Sequence, residues 1–258
     1  MRLGSPTLAS SWLGIAAPFW SALTILPLDA IGRQHLSRSS LQRVTFSWMA
    51  IPSTALFAAT LSSFYPVVAV LNILFVWKGI RSTGRSKVLY LIGGGLISGI
   101  ALLFNFSFLS ILMLAGFVIA VDGLSRFSQD ISQALWTTVR QGALYGAGVL
   151  VPLGLYWLMT GHSLTTVYTV AMSRHLGLER AYFPWLVLDS WDFILFLGIP
   201  TARLTAIALA RWRSHPMQSL IVAWACTILV LLFSGTSRGE VGRVWMLLMP
   251  SHCSVPPL

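Results

Sequence analysis

Apolar runs fill this chain almost end to end, and the charged residues fall mainly in the short gaps between them. The runs cover roughly residues 12–31, 44–61, 64–77, 88–104, 106–121, 139–159, 191–210 and 220–233, with a last one from Val244 that breaks off at Pro250. Inside a bilayer only helices and closed barrels satisfy every backbone N–H and C=O. These runs are continuous and lack the alternation of barrel strands. The sequence therefore predicts an all-α fold, a polytopic transmembrane helical bundle of about eight spans, with residues 1–258 forming one helical domain.

Only 9% of the residues are charged and 56% are hydrophobic, whereas a soluble domain carries about 25% charge. The net charge of +10 does not signal nucleic acid, because the basic residues sit in the gaps between apolar runs, where the positive-inside rule puts them. Residues 32–43 hold Arg33, Arg38 and Arg43 without an acid, residues 78–87 hold Lys78, Arg81, Arg85 and Lys87 without an acid, and residues 211–215 hold Arg211 and Arg213. All three segments are assigned to the cytoplasmic face of an inner (plasma) membrane. Cys226 and Cys253 have no metal or redox spacing, and Cys226 reads as a small packed hydrophobe. The segment after Arg2 has no small-residue cleavage site and is not read as a signal peptide.

With those segments inside, residues 44–77 must cross an even number of times, yet they are short for two full spans. They read as a hairpin of short helices with its tip near residues 61–64. Residues 88–121 repeat the pattern around Asn105. Backbone that turns at membrane depth is tolerated where protein or a wet cavity covers it, so both tips point to an internal cavity, with short helices at the outer interface as the alternative. Residues 122–140 then lie inside. Leu124, Phe127, Ile131 and Leu135 recur at helical spacing and Arg126 and Asp130 are four apart, which fits either an interfacial amphipathic helix or a connecting helix packed on the bundle. Residues 160–190 and 234–243 fall outside.

Charges of both signs gather on that outer side. Arg174-His175 and Glu179-Arg180 offer a possible acid/base histidine beside basic groups, or simply a solvated loop. Tyr182-Phe183-Pro184-Trp185 and Trp191 form an aromatic band, by default an interfacial anchor. Asp192 precedes Phe193-Ile194-Leu195-Phe196-Leu197 and belongs to a membrane helix; it and Asp189 are either functional carboxylates or helix-start caps. The sharpest set is Ser237-Arg238-Gly239-Glu240-Val241-Gly242-Arg243, flanked by apolar runs. Charge beside a membrane is costly without a partner or a task. Two guanidinium groups and a carboxylate neutralise one another as an ion-pair knot, or the guanidiniums hold a phosphate by forked hydrogen bonds. Gly239 and Gly242 let backbone approach a ligand.

Tyr182-Phe183-Pro184-Trp185-Leu186 through Trp191-Asp192-Phe193 to Gly198-Ile199-Pro200, and Ser237 through Val244-Trp245 to Met249-Pro250, resemble stretches of bacterial multipass proteins related to the GT-C glycosyltransferases, a group similar to the protein O-mannosyltransferase and aminoarabinose transferase families. The resemblance implies transfer of a sugar from a polyprenyl-phosphate donor at the outer face, with a divalent metal ion or basic residues holding the donor phosphate. On that reading Arg238 and Arg243, with His175 and Arg180, bind substrate. Asp192 and Glu240 act as catalytic carboxylates, by orienting the arginines, positioning an acceptor hydroxyl or ligating metal. The partners implied are the bilayer and a polyprenyl-phosphate-linked sugar. Two departures qualify this. The catalytic acid of that family lies in the first large outer loop, and no residue before Trp12 supplies it; near Pro52-Ser53-Thr54, where such proteins often carry Asp, this chain has Ser62. The chain also reads as the middle of a longer protein. A lipid or solute transporter or flippase, and a non-catalytic scaffold, are the rival expectations.

Overall fold

The computed structural model describes residues 6–250 apart from 59, 127–129, 177–180, 237–238 and 240. The described residues are helical throughout, without a strand. The chain runs through α1 (Pro6–Leu23), α2 (Ile25–Gly32), α3 (Arg38–Met49), α4 (Pro52–Leu56), α5 (Tyr65–Arg81), α6 (Gly84–Phe104), α7 (Leu109–Arg126), α8 (Ile131–Thr160), α9 (Leu164–Leu176), α10 (Tyr182–Leu197), α11 (Ile199–Ala210), α12 (Gln218–Ser234) and the short α13 (Val241–Val244). Single 3₁₀ turns at Leu61–Phe64, Phe106–Phe108, Trp212–Ser214 and Trp245–Leu248 link or extend them.

Five segments are long and apolar enough to cross a membrane: Gly14–Gly32, Leu61–Arg81, Gly84–Phe104, Phe106–Ser125 and Ile131–Thr160. α10 and α11 make a sixth if the pair, bent by 106°, counts as one span. The expected eight runs thus include some that do not meet the length. α3 and α4 are too short to span, and α12 has 17 residues, about 26 Å at the helical rise.

The second expected short hairpin is instead a pair of full-length spans. α6 starts at Gly84, so Arg85 and Lys87 lie in its first turns rather than in a loop, and α7 runs on to Arg126. Basic side chains at a helix end keep their charge at the interface while the backbone is already helical. Nor do residues 131–140 form a separate interfacial helix; they are the first turns of the 30-residue α8. Asp130 is its N-cap, its carboxylate accepting the Gln133 N–H at 3.1 Å, and this bond holds the Asp130 carboxyl below the usual carboxylate range. The side chain of Arg126 lies outside the described residues.

α5 is the central helix. In the span that contains it 61% of the apolar window is buried, against 22% for Ile131–Thr160, which leaves most of its apolar surface exposed. The polar side of α5 is also satisfied. Asn72 donates to the Gly94 carbonyl and to Ser98 Oγ (2.8 Å), and Tyr145 Oη and Ser98 Oγ share a hydrogen bond of 2.6 Å. This network ties α5, α6 and α8 in the apolar interior, where an unpaired polar group would be costly. α6 and α8 approach so closely that a Cβ at Gly95 would lie 2.9 Å from Gly148 Cα, and one at Gly99 would meet the Val149 carbonyl and Pro152 ring. Small residues four apart allow such backbone contact between membrane helices.

The three segments assigned to one face by charge do meet at one end of the bundle, and α7 joins them there. His35, between α2 and α3, accepts the Trp77 Nε1–H at 3.2 Å. The Arg81 guanidinium stacks 3.3 Å from the Trp77 ring centroid, and its Nη2 lies 3.9 Å from Oδ1 of Asp122. Ser219 donates to the same carboxylate oxygen at 3.4 Å, and His215 is buried beside it in sequence, with Nδ1 accepting the Met217 N–H. At the opposite end Asn105 donates to the Tyr65 hydroxyl at 3.0 Å, tying the two hairpin tips together.

Candidate functional site

The tip end holds the features that the sequence singled out. α12 ends at Gly235 in a left-handed conformation (φ +60°), a position suited to glycine. The chain then turns back into the bundle. From Val241 on it is deeply buried: Val241, Trp245, Met246, Leu247, Leu248 and Met249 have at most 1% of their surface exposed. Trp224 Nε1–H donates to the Leu248 carbonyl at 3.2 Å, and the Ser53 hydroxyl contacts Met249 Sδ at 2.9 Å. Phe193 of α10 packs on both Trp224 and Trp245. The last apolar run is thus packed as a plug in the core.

The charged segment just before the plug is fastened to α10 at two points. The Gly239 N–H donates to Oδ1 of Asp189 at 3.0 Å, with Gly239 at φ +76°. Gly242 lies against the Phe196 ring, where a Cβ would come within 2.5 Å of it. Both glycines therefore serve docking on α10. The expectation that they leave room for a ligand is corrected for Gly242, whose open side is filled by Phe196.

Asp189 is 3% exposed and Asp192 half-buried. Both sit in the body of α10, which begins at Tyr182 with Ala181 as its N-cap. The helix-start reading of the two aspartates is therefore corrected: the helix begins well before them. Asp189 is the carboxylate that grips the segment, whereas the sequence points first to Asp192. Its distinguishing signal was its spacing of three before Asp192 on an otherwise apolar helix. Tyr182 ties α10 to the end of α12, its hydroxyl donating to the Phe233 carbonyl at 2.6 Å. Phe183 and Trp191 are largely exposed, as interfacial anchors are.

Arg238, Glu240 and Arg180 lie outside the described residues. Arg243 is on the backbone of α13 and His175 on that of α9, their side chains lying outside the described residues.

Two cavities open at this end, one at each predicted tip. The first, about 600 Å³, is apolar and lined by Trp20, Leu61, Phe64, Ile97, Phe104 and Phe108 among others. The second, about 510 Å³, carries polar groups: Asn105, Ser107, Ser110, Tyr168, Ser234 and Thr236 contribute to its wall, with Trp245. Phe104 lines both. Ser234, Thr236 and Val244 in the second wall flank the docked segment on either side. Tyr168, from α9, packs edge-on against Phe106. Sequence reasoning missed Tyr168 in α9, Ser234 at the end of α12 and Thr236 just after it, because isolated hydroxyl residues carry no pattern of their own.

Among the described residues no group of three or more His, Cys, Asp or Glu is arranged to hold a metal ion. The chain matches no protein-family model, no curated protein and no solved structure. What the fold defines is a class, a multi-pass helical membrane protein.

Proposed function

We propose that the tip end of the bundle faces outward and binds a lipid-linked phosphate, and that the chain is a glycosyltransferase-like protein acting on a polyprenyl-phosphate sugar. The observation that carries this reading is the pair of cavities sharing Phe104, one apolar and one hydroxyl-lined. An isoprenoid tail suits the first and a phosphosugar headgroup the second. The second cavity is bounded by the residues flanking the arginine segment, and Asp189 holds that segment in place. Arg238 and Arg243 then neutralise the donor phosphate by forked hydrogen bonds.

In the transfer step an acceptor hydroxyl oxygen bonds to the anomeric carbon as the bond from that carbon to the phosphate oxygen breaks. The hydroxyl proton passes to a carboxylate, the role proposed for Asp192 and Glu240, and the polyprenyl phosphate leaves with its charge met by the arginines. Titration of the full chain with polyprenyl phosphate tests this. Arg238→Ala is expected to weaken binding by roughly tenfold or more, the cost of a charged hydrogen bond; unchanged affinity removes the phosphate role.

A second reading is a lipid or solute transporter, favoured by the 106° break between α10 and α11 at Gly198. Broken helices line substrate sites in many transporters. Flux across proteoliposomes without any glycosyl product would select this reading.

A further inference from the structure

The opposite, basic end of the molecule has a pocket of its own. About 610 Å³ opens between the last turn of α2 and the first turns of α3. Arg33 and Arg38 line it together with Gln42 and Thr45, and Leu36, Leu41 and Phe46 supply an apolar wall. We propose that this pocket holds the headgroup of an anionic phospholipid from the leaflet on the basic side, with an acyl chain lying along α3.

Four observations favour that occupant. The pocket sits where the candidate span Gly14–Gly32 ends, the level at which a headgroup would lie beside a spanning helix. Its charge is basic on balance: two arginines face one carboxylate, Asp29. Asp29 Oδ2 takes the Nε–H of Arg33 at 2.6 Å. That bond aims the guanidinium while its side chain stays 73% exposed, so the Nη groups are presented outward for a phosphate. The N-terminus of α3, at Arg38, adds its positive dipole end to the same place. The wall is also two-natured. Val44 and Trp48 turn α3's buried side to the core, while Phe46 and Met49 stay more than half exposed. A free phosphate has no use for Phe46, Leu36 and Leu41; a diacyl lipid does. Basic pockets beside membrane helices on this side are recognised sites for anionic lipids.

The test uses the full chain in detergent, titrated with dioctanoyl phosphatidylglycerol or dioctanoyl phosphatidylcholine and read by native mass spectrometry. One phosphatidylglycerol is expected to be retained about tenfold more tightly than phosphatidylcholine. Arg33→Gln with Arg38→Gln abolishes the preference, and Arg38→Gln alone, at an exposed site, reduces it with helical content unchanged. Arg211→Gln with Arg213→Gln, at the same end but outside the pocket, leaves it intact. The proposal is overturned by equal retention of the two lipids, by a preference that survives loss of both pocket arginines, or by an equal loss in the Arg211 and Arg213 variant. It is also overturned if millimolar inorganic phosphate displaces the lipid entirely, which would make this a site for free anions. The pocket and the phosphate site proposed above occupy opposite ends of the bundle, so either proposal fails without the other.

Discussion

Asp189 and Gly239 are fifty positions apart, yet the Gly239 N–H donates to the Asp189 Oδ1 across 3.0 Å. The bond couples a buried carboxylate in the body of α10 to the middle of the charged segment. Asp189→Ala is expected to release that segment. A charged hydrogen bond contributes about 1.5–3 kcal/mol, so labelling of a cysteine at Thr236 should quicken at least tenfold. Asp189→Asn keeps an acceptor oxygen and should keep much of the protection. Equal labelling in all three would mean that the plug alone holds the segment.

Gly242 provides the second fastening. Gly242→Ala sets a methyl group into the Phe196 ring and is expected to destabilise by about 1–3 kcal/mol, the usual cost of overpacking. Adding Phe196→Leu should recover part of the loss, measured by thermal unfolding in detergent. Failure of the second substitution to help would show that the clash is relieved elsewhere.

Gly198 makes the bend. Its φ of +87° lies in a region that L side chains rarely adopt, and a Cβ there would also meet the Pro52 ring at 3.0 Å. Gly198→Ala should therefore cost about 1–3 kcal/mol. An unchanged melting temperature would mean that the bend relaxes freely.

His35 predicts a pH dependence at the basic end. Its pKa is lowered by burial first, then by the charges of Arg81 and His215, and its Nε2 must stay unprotonated to accept from Trp77. The folded state therefore takes up the proton later than the unfolded chain, whose value is about 6.5. The stabilising contribution is full above that pH and is lost as pH falls through the lower folded value. Thermal stability should drop on acidification below about pH 6.5, and His35→Gln should flatten that part of the profile. An identical profile in the variant would assign the drop to other groups.

The apolar runs made the helical membrane class legible, and the acid-free basic loops correctly grouped residues 32–43, 78–87 and 211–215 at one end. That grouping worked because interfacial charge is a local property. The breaks at Asn105 and residues 61–64 were legible as interruptions of apolar runs, and each lines a cavity, but the short hairpins expected around them were not found: Leu61–Arg81, Gly84–Phe104 and Phe106–Ser125 are each long enough to span. What could not be read was anything set by packing between distant segments. The burial of Trp245–Leu248 depends on Phe193 and Trp224, which are distant from it in sequence. The choice between Asp189 and Asp192 likewise depends on which face of α10 meets Gly239. The extent of α6 and α7 was underestimated because charged residues at helix ends resemble loop residues.

Outward exposure of the Asp189 end is read most directly by two-sided labelling. With Cys226 and Cys253 replaced by serine, single cysteines are placed at Glu179, Thr236 and Arg85 and reacted with a membrane-impermeant maleimide in intact cells and in inverted vesicles. Glu179 and Thr236 are expected to react from outside and Arg85 only from the cytoplasmic side. Reaction of Glu179 and Thr236 from opposite compartments, or of Thr236 from the cytoplasm, would contradict an outward headgroup site.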